Sequence, residues 1–263
     1  MSRKKRGKGK SLKDKRRSLA VVLLSGGMDS LLTAGLASAN GNDLALIHFN
    51  YGQKTERAEQ RSFQAIASWL KVPEERRIIV HTNFFLHAGG SALIDKEREI
   101  PKADLESKEI PPTYVPFRNA VFLSMAVGWA EVLGAESVYY GAVSQDSSGY
   151  PDCREEFVAA FNLLVEAGTK AGGAIEVKAP LVNFRKAEIV EMANGMGLPL
   201  EKTWSCYARN DKACGKCDSC ALRLRGFKEA GLEDPIAYAP SREVVKERLQ
   251  RLSVLLKALT KGA

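Results

Sequence analysis

Apolar and polar positions follow two alternating regimes along the first eighty residues. Leu19 to Leu24 is an unbroken apolar run of the kind buried on both faces of a parallel sheet. A glycine turn follows, and Asp29 to Ala39 carries helical spacing. Asp43 to Phe49 reads as a second buried strand, Lys54 to Leu70 as an amphipathic helix, and Arg77 to Val80 as a third short strand. This β-α-β-α-β alternation predicts an α/β fold, a doubly wound parallel sheet with right-handed crossovers and helices on both faces.

Residues 82 to 117 lack clear periodicity and hold Gly89-Gly90 and Pro111-Pro112 around a charged middle. A loop of that length is usually functional or mobile. Beyond it, Asn119 to Leu133 reads as a strongly apolar helix and Ser137 to Tyr140 as a fourth strand. Glu155 to Ala167 reads as helix, Ile175 to Val177 as strand and Lys186 to Met196 as helix. From Ser241 on, Val245, Leu249, Leu252, Leu256 and Leu259 fall at alternating four- and three-residue spacings. That stripe suits a helix packed on its own domain or a short dimer seam. The implied division is a basic tail over 1–18, an α/β domain over 19–200, a four-cysteine segment over 201–235 and a C-terminal helix over 236–263.

Composition narrows the class. Hydrophobic residues at 45% and charged residues at 27% exclude a disordered or fibrous chain. No run approaches the ~18 apolar residues that span a bilayer. The N-terminus is basic with no apolar stretch behind it, so it does not read as a secretory signal. Five cysteines in that context point to a reducing compartment and a cytoplasmic protein. The net charge of +8 is a property of the tail: residues 1–17 hold ten Lys or Arg against Asp14 alone, and the rest of the chain is close to neutral. Such a tail can hold RNA or DNA phosphates weakly, or serve as a solvated arm.

The sharpest local signal is Ser25-Gly26-Gly27-Met28-Asp29-Ser30, directly after the first strand and opening a helix. Glycines allow backbone N–H groups to approach an anion closely, and the helix N-terminus adds its dipole and unpaired donors. Ser25 and Ser30 supply hydroxyls, and Asp29 can cap the helix or engage a metal ion. A phosphate cradle follows, distinct from the loops that end in Gly-Lys-Ser/Thr. A generic capped turn would also use these residues.

The second signal is Cys206, Cys214, Cys217 and Cys220, with two C-x2-C steps. Four thiolates suit a closed tetrahedral Zn²⁺ site of structural role. An iron–sulfur cluster or unligated buried thiols are the other readings. The remaining cysteine, Cys153, lies in a Gly- and Pro-shaped loop after the fourth strand, with Asp146, Asp152 and Arg154. Ligands bind outside the carboxyl ends of strands in open parallel sheets, which makes that loop a site candidate.

Taken in order, these motifs carry a resemblance. The cradle after the first strand resembles the pyrophosphate loop of N-type ATP pyrophosphatases (the PP-loop superfamily), which adenylate an oxygen of the acceptor. The ordered series then continues with Phe49-Asn50-Tyr51-Gly52-Gln53-Lys54, Val115-Pro116-Phe117-Arg118-Asn119 and Ser148-Gly149-Tyr150-Pro151-Asp152-Cys153-Arg154. Lys186-Ala187-Glu188 and the cysteine cluster complete it. The whole resembles the QueC family of 7-cyano-7-deazaguanine synthases over about residues 19 to 235. Phe117 departs from the pattern, which more often has a small residue between the Pro and the Arg.

The resemblance implies ATP-dependent conversion of 7-carboxy-7-deazaguanine and ammonium to 7-cyano-7-deazaguanine (preQ0), with ATP, Mg²⁺ and Zn²⁺ as cofactors. It implies that Leu24, Ser25, Gly26, Gly27, Met28, Asp29 and Ser30 hold ATP, and that Asp29, Lys186 and Arg223 serve catalysis. Arg118, Asn119, Asp146, Tyr150, Asp152 and Arg154 are then the substrate candidates. Phe49 or Tyr51 could meet adenine, and the three histidines receive no role. A homodimer is expected, with nucleic acid met only through the tail and no membrane. A tRNA-modifying relative, or one adenylating another acceptor, is the alternative.

Overall fold

The computed structural model describes residues 17–107, 109–143, 150–170 and 172–240. The apolar stripe from Ser241 on, all but the last two residues of the basic tail, and Asp146 lie outside the described residues. Five parallel strands, β1 (Leu19–Leu23), β2 (Asp43–Asn50), β3 (Arg77–His81), β4 (Ser137–Tyr139) and β5 (Glu176–Lys178), lie in the order β3-β2-β1-β4-β5. Seven α-helices accompany them among the described residues: α1 (Met28–Ala39), α2 (Glu56–Trp69), α3 (Phe84–Ala88), α4 (Arg118–Leu133), α5 (Glu155–Gly168), α6 (Lys186–Gly195) and α7 (Asp218–Glu229).

Strand periodicity explains the two layers. Val21 sits in register with Ala45 on one side and Val138 on the other, and all three face a core built with α4 and α5. Their neighbours Ala20, Val22, Leu44, Leu46 and Tyr139 face the opposite core, built with α1, α2 and α6. Side chains that alternate between faces must each find apolar partners, which is why both faces are covered. Each strand and helix expected from the periodicity before Ser241 is present, with ends shifted by a few residues at most. The segment after β3, expected as loop, contains among its described residues the short helix α3, which buries Phe85.

The strand order reverses between β1 and β4. The chain leaves β1 toward β2 and β3, then returns across the sheet to β4. The loops after β1 and β4 therefore part company and open a crevice at the carboxyl edge, where ligands bind in folds of this kind.

Two backbone features position residues around that crevice. Helices α6 and α7 cross at Gly226, where an added Cβ would lie 2.8 Å from the Lys186 Cβ and 3.0 Å from its carbonyl. Phe117, just before α4, adopts a left-handed conformation at φ 56° with its ring 65% exposed. Any Cβ in that region strains the backbone, and only glycine escapes the penalty.

Gly226→Ala is expected to force the two helices apart, costing about 1–3 kcal/mol and displacing Lys186; thermal melting and turnover should fall together. Phe117→Gly should relieve the left-handed strain and raise stability by ~1 kcal/mol, read as a small upward shift in melting temperature.

Candidate active site

The loop from Ser25 to Ser30 is shaped by close packing. Gly26 has φ 94°, and a Cβ there would meet the Glu59 carbonyl oxygen at 2.7 Å and the Ser62 Cβ at 2.9 Å. No side chain fits between this turn and α2. Inside the turn, the Gly27 N–H donates to Ser25 Oγ at 3.3 Å, and the Ser30 hydroxyl donates to the Gly27 carbonyl at 2.9 Å. Helix α1 starts at Met28 with no side-chain cap, so its first N–H groups have no helical acceptor. From the far side Gly141, just after β4, presses to where a Cβ would lie 3.1 Å from the Ser30 nitrogen. Bare glycine backbone thus flanks the unpaired donors, an arrangement that admits an anion.

Asp29 projects from the first turn of α1. Its Oδ2 accepts the Lys186 ammonium at 2.7 Å, with the lysine side chain 11% exposed. Its Oδ1 is buried without a hydrogen-bond partner among the described residues. A buried carboxylate oxygen left unsatisfied costs free energy unless a ligand completes it. A hard cation such as Mg²⁺, which prefers carboxylate and phosphate oxygens, fits that position beside the cradle.

A cavity of about 270 Å³ opens from the cradle. Ser25, Gly27, Asp29, Ser30 and Lys186 line part of it, and Tyr51, Phe122, Arg118, Tyr150 and Tyr207 line another part. The aromatic wall is packed: Phe49 stacks on Phe122 at 4.0 Å, and Tyr51 meets Phe85 and Phe122 edge-on. Burial raises the phenol pKa values of Tyr51, Tyr140, Tyr150 and Tyr207, which keeps these walls neutral. Burial likewise lowers His48, whose Nδ1 faces the Leu24 carbonyl at 2.9 Å. Cys153 also lines the cavity, its thiol pushed up to about 11 by burial and by the Asp152 charge. It therefore remains a neutral thiol, a weak nucleophile.

The four clustered cysteines converge. Their Sγ atoms all lie within 4.8 Å of one another, and three are buried. The Ala208 and Cys214 N–H groups donate to Cys206 Sγ, and the Lys216 and Cys217 N–H groups donate to Cys214 Sγ. Backbone donors aimed at sulfur stabilise thiolates. Hydrogen bonds from Cys217 and Cys220 hold Cys206 low, while Cys217 and Cys220 are raised in turn. Four sulfurs this close repel one another once all are ionised unless a cation lies between them, so the donor set fits a metal ion. The segment is fastened to the cradle, since the Trp204 N–H donates to the Gly26 carbonyl at 2.8 Å.

Placement of the expected residues is uneven. Leu24, Ser25, Gly27, Met28, Asp29, Ser30, Lys186, Arg118, Asn119 and Tyr150 all line the cavity, although the Met28 side chain also belongs to the core. Gly26 shapes the turn from behind. Asp152 is buried beside the cavity, its Oδ2 taking the Asn119 N–H at 3.1 Å, and so orients the start of α4. Arg154 is exposed at the start of α5 and does not line the cavity.

Arg223 corrects an expectation. It is fully buried, with its guanidinium bound to both Asp234 carboxylate oxygens at 2.8 and 2.9 Å, to Thr203 and Ser205, and to the Leu200 carbonyl. All five donors of the fork are engaged, which leaves none for a phosphate. Its work is to bind α7 to the chain on either side. Trp204 and Tyr207 went unmarked in the sequence; their nearness to Cys206 is the one signal that they would be carried to the cavity.

Comparison with known proteins gives this geometry a lineage. The family model described as queuosine biosynthesis protein QueC matches residues 19–231. A curated 7-cyano-7-deazaguanine synthase of Chlorobium phaeobacteroides is 52% identical over 219 residues, 83% of this chain and 96% of the relative. One of Koribacter versatilis is 54% identical over 224 residues, 84% and 93% of the two chains. Among solved structures, an NH3-dependent NAD synthetase of Campylobacter jejuni is similar at a TM-score of 0.40 and 14% identity, over 95% of this chain and 80% of that one. By the extent of the family match and the identity to its curated relatives, the chain belongs to the QueC family of queuosine biosynthesis proteins.

Proposed function

We propose that the chain converts 7-carboxy-7-deazaguanine, ammonium and ATP to 7-cyano-7-deazaguanine, the product in its relatives' name. The observation that carries this reading is an anion cradle with an unsatisfied carboxylate oxygen opening into an aromatic cavity that holds a guanidinium.

A carboxylate resists ammonia because its carbon is electron-rich and its oxygen leaves poorly. Attack by one carboxylate oxygen on the α-phosphorus of ATP expels pyrophosphate and turns that oxygen into a phosphate ester. Ammonia adds to the carbonyl carbon and loses a proton, and AMP departs with the oxygen to leave an amide. The amide oxygen then attacks a second ATP. Loss of AMP and of the two N–H protons completes the nitrile, so each original carboxylate oxygen leaves on one AMP.

In this reading Ser25, Gly26, Gly27, Met28 and Ser30 surround the phosphates with backbone N–H and hydroxyl donors. Lys186 sets the orientation of Asp29 and adds positive charge where pyrophosphate departs. Asp29, with its unsatisfied carboxylate oxygen, would hold Mg²⁺, which would supply charge neutralisation for the departing pyrophosphate. The buried aromatic wall keeps water from the activated acyl group. Asn119 and Tyr150 contribute polar edges for the deazaguanine. Nitrogen enters as free ammonium, and the reaction is assigned to the cytoplasm, where the four thiols stay reduced. The closed set of four sulfurs suits structural Zn²⁺.

The direct test incubates purified protein with ATP, Mg²⁺, ammonium and 7-carboxy-7-deazaguanine, followed by mass spectrometry. The nitrile and AMP are expected, with the rate falling by roughly 10²–10³-fold in Asp29→Ala. AMP formation without the nitrile would assign the adenylation to another acceptor. For the cysteines, elemental analysis should find stoichiometric zinc and no iron. Chelation, or Cys217→Ser, should lower the melting temperature by roughly 10 °C or more.

A further inference from the structure

The acceptor changes charge halfway through the proposed sequence. It enters the first adenylation as a carboxylate and the second as a neutral amide. A cationic side chain that holds the acceptor would therefore act on the first round and be nearly indifferent to the second.

Arg118 is placed for that distinction. It is the first residue of α4 and lines the cavity. Its Nη1 donates to the Tyr51 hydroxyl at 3.0 Å, and its guanidinium carbon lies 5.6 Å and 5.9 Å from the ring centres of Tyr51 and Phe122. Those rings are fixed by their own stacking, so the guanidinium is held against a rigid wall. Among the described residues Arg118 forms no ion pair. The neighbouring carboxylate is Asp152, which faces the same small side cavity but directs its Oδ2 to the Asn119 N–H. Lys186, the other cation lining the cavity, is paired with Asp29. A guanidinium with one donor engaged keeps a pair of parallel donors for a carboxylate.

We propose that Arg118 is the receptor for the acceptor's carboxylate and so sets the selectivity of the first half-reaction, acid to amide, over the second, amide to nitrile. Tyr51 is the positioning residue that holds the guanidinium toward the cavity. The proposal rests on the synthase reading and adds to it a residue that separates the two rounds of one active site.

The experiment supplies wild type, Arg118→Gln, Arg118→Lys and Tyr51→Phe with either the 7-carboxylate or the 7-carboxamide of 7-deazaguanine, under otherwise identical conditions. Melting curves and metal content check the fold of each variant. Arg118→Gln should lower kcat/KM for the acid by about tenfold to a hundredfold, the scale of a lost charge-assisted pair, chiefly through KM. Turnover of the amide should stay within about threefold. Arg118→Lys should recover part of the acid activity, and Tyr51→Phe should raise KM for the acid by a smaller factor. Equal loss on both substrates by a folded variant, or no loss on either, overturns the proposal while wild-type turnover keeps the synthase reading intact. Wild type that converts neither substrate removes the synthase reading itself, and the proposal with it.

Discussion

The turn at Gly26 has no room for a side chain, and the site is organised around that fact. Its backbone runs against the last turn-forming carbonyls of the first half of α2, close enough that a methyl group would meet the Glu59 oxygen at 2.7 Å. The same residue offers its own carbonyl to Trp204, where the chain enters the cysteine segment. Three pieces distant in sequence thus meet at one glycine: the end of β1, the packed face of α2 and the start of the four-cysteine segment. Close approach leaves the first N–H groups of α1 without a side-chain cap beside the cavity, an arrangement that can admit an anion.

A single face of α7 carries this order outward. Cys220 reaches the thiol cluster, Arg223 lies one turn on and binds Asp234, and Phe227 one turn further enters the core against α6. Positions spaced three and four apart share a helix face. Gly226, beside them, lets α6 approach so closely that Lys186 is carried to Asp29. A metal ion at the cysteines would act on the phosphate site through this stack, by fixing a helix whose other end sets a lysine. The buried Arg223–Asp234 pair makes the stack intolerant of partial change, because loss of either partner strands a charge in the interior.

Local patterns in the sequence revealed the local parts of this arrangement. The buried runs of β1 and β2, the amphipathic α2 and the cysteine spacing all concern residues near one another in the chain, and each has a physical period or ligand geometry to be read. The resemblance assigns Arg223 to catalysis, yet its partner is Asp234, which lies eleven residues on and gives no periodic signal. Tyr51 and Tyr150 are candidates singly, but their union with Phe122 and Tyr207 into one aromatic wall gives no local signal, since the four come from separate segments. Arg154 sat in the most distinctive motif of its loop, yet its side chain is exposed outside the cavity while the adjacent Asp152 and Cys153 are buried. A motif identifies a loop, and the backbone then decides which of its residues face the chemistry.

Electrostatics binds the two parts of the cavity into one device. The buried phenols and the Cys153 thiol are all held in their neutral forms, and His48 is held neutral as well. Against such walls the few fixed charges count for more than they would in water. Lys186 and Asp29 offset each other at the cradle, and Arg118, the remaining cation lining the cavity among the described residues, is the one proposed to distinguish one state of the acceptor from another. An acid is held by it, an amide is held by shape and hydrogen bonds alone, and a nitrile has neither the charge nor the oxygen. Affinity for the reacting group therefore declines in the order in which the reaction proceeds, so that the same fixed charge that admits the substrate has no hold on the product.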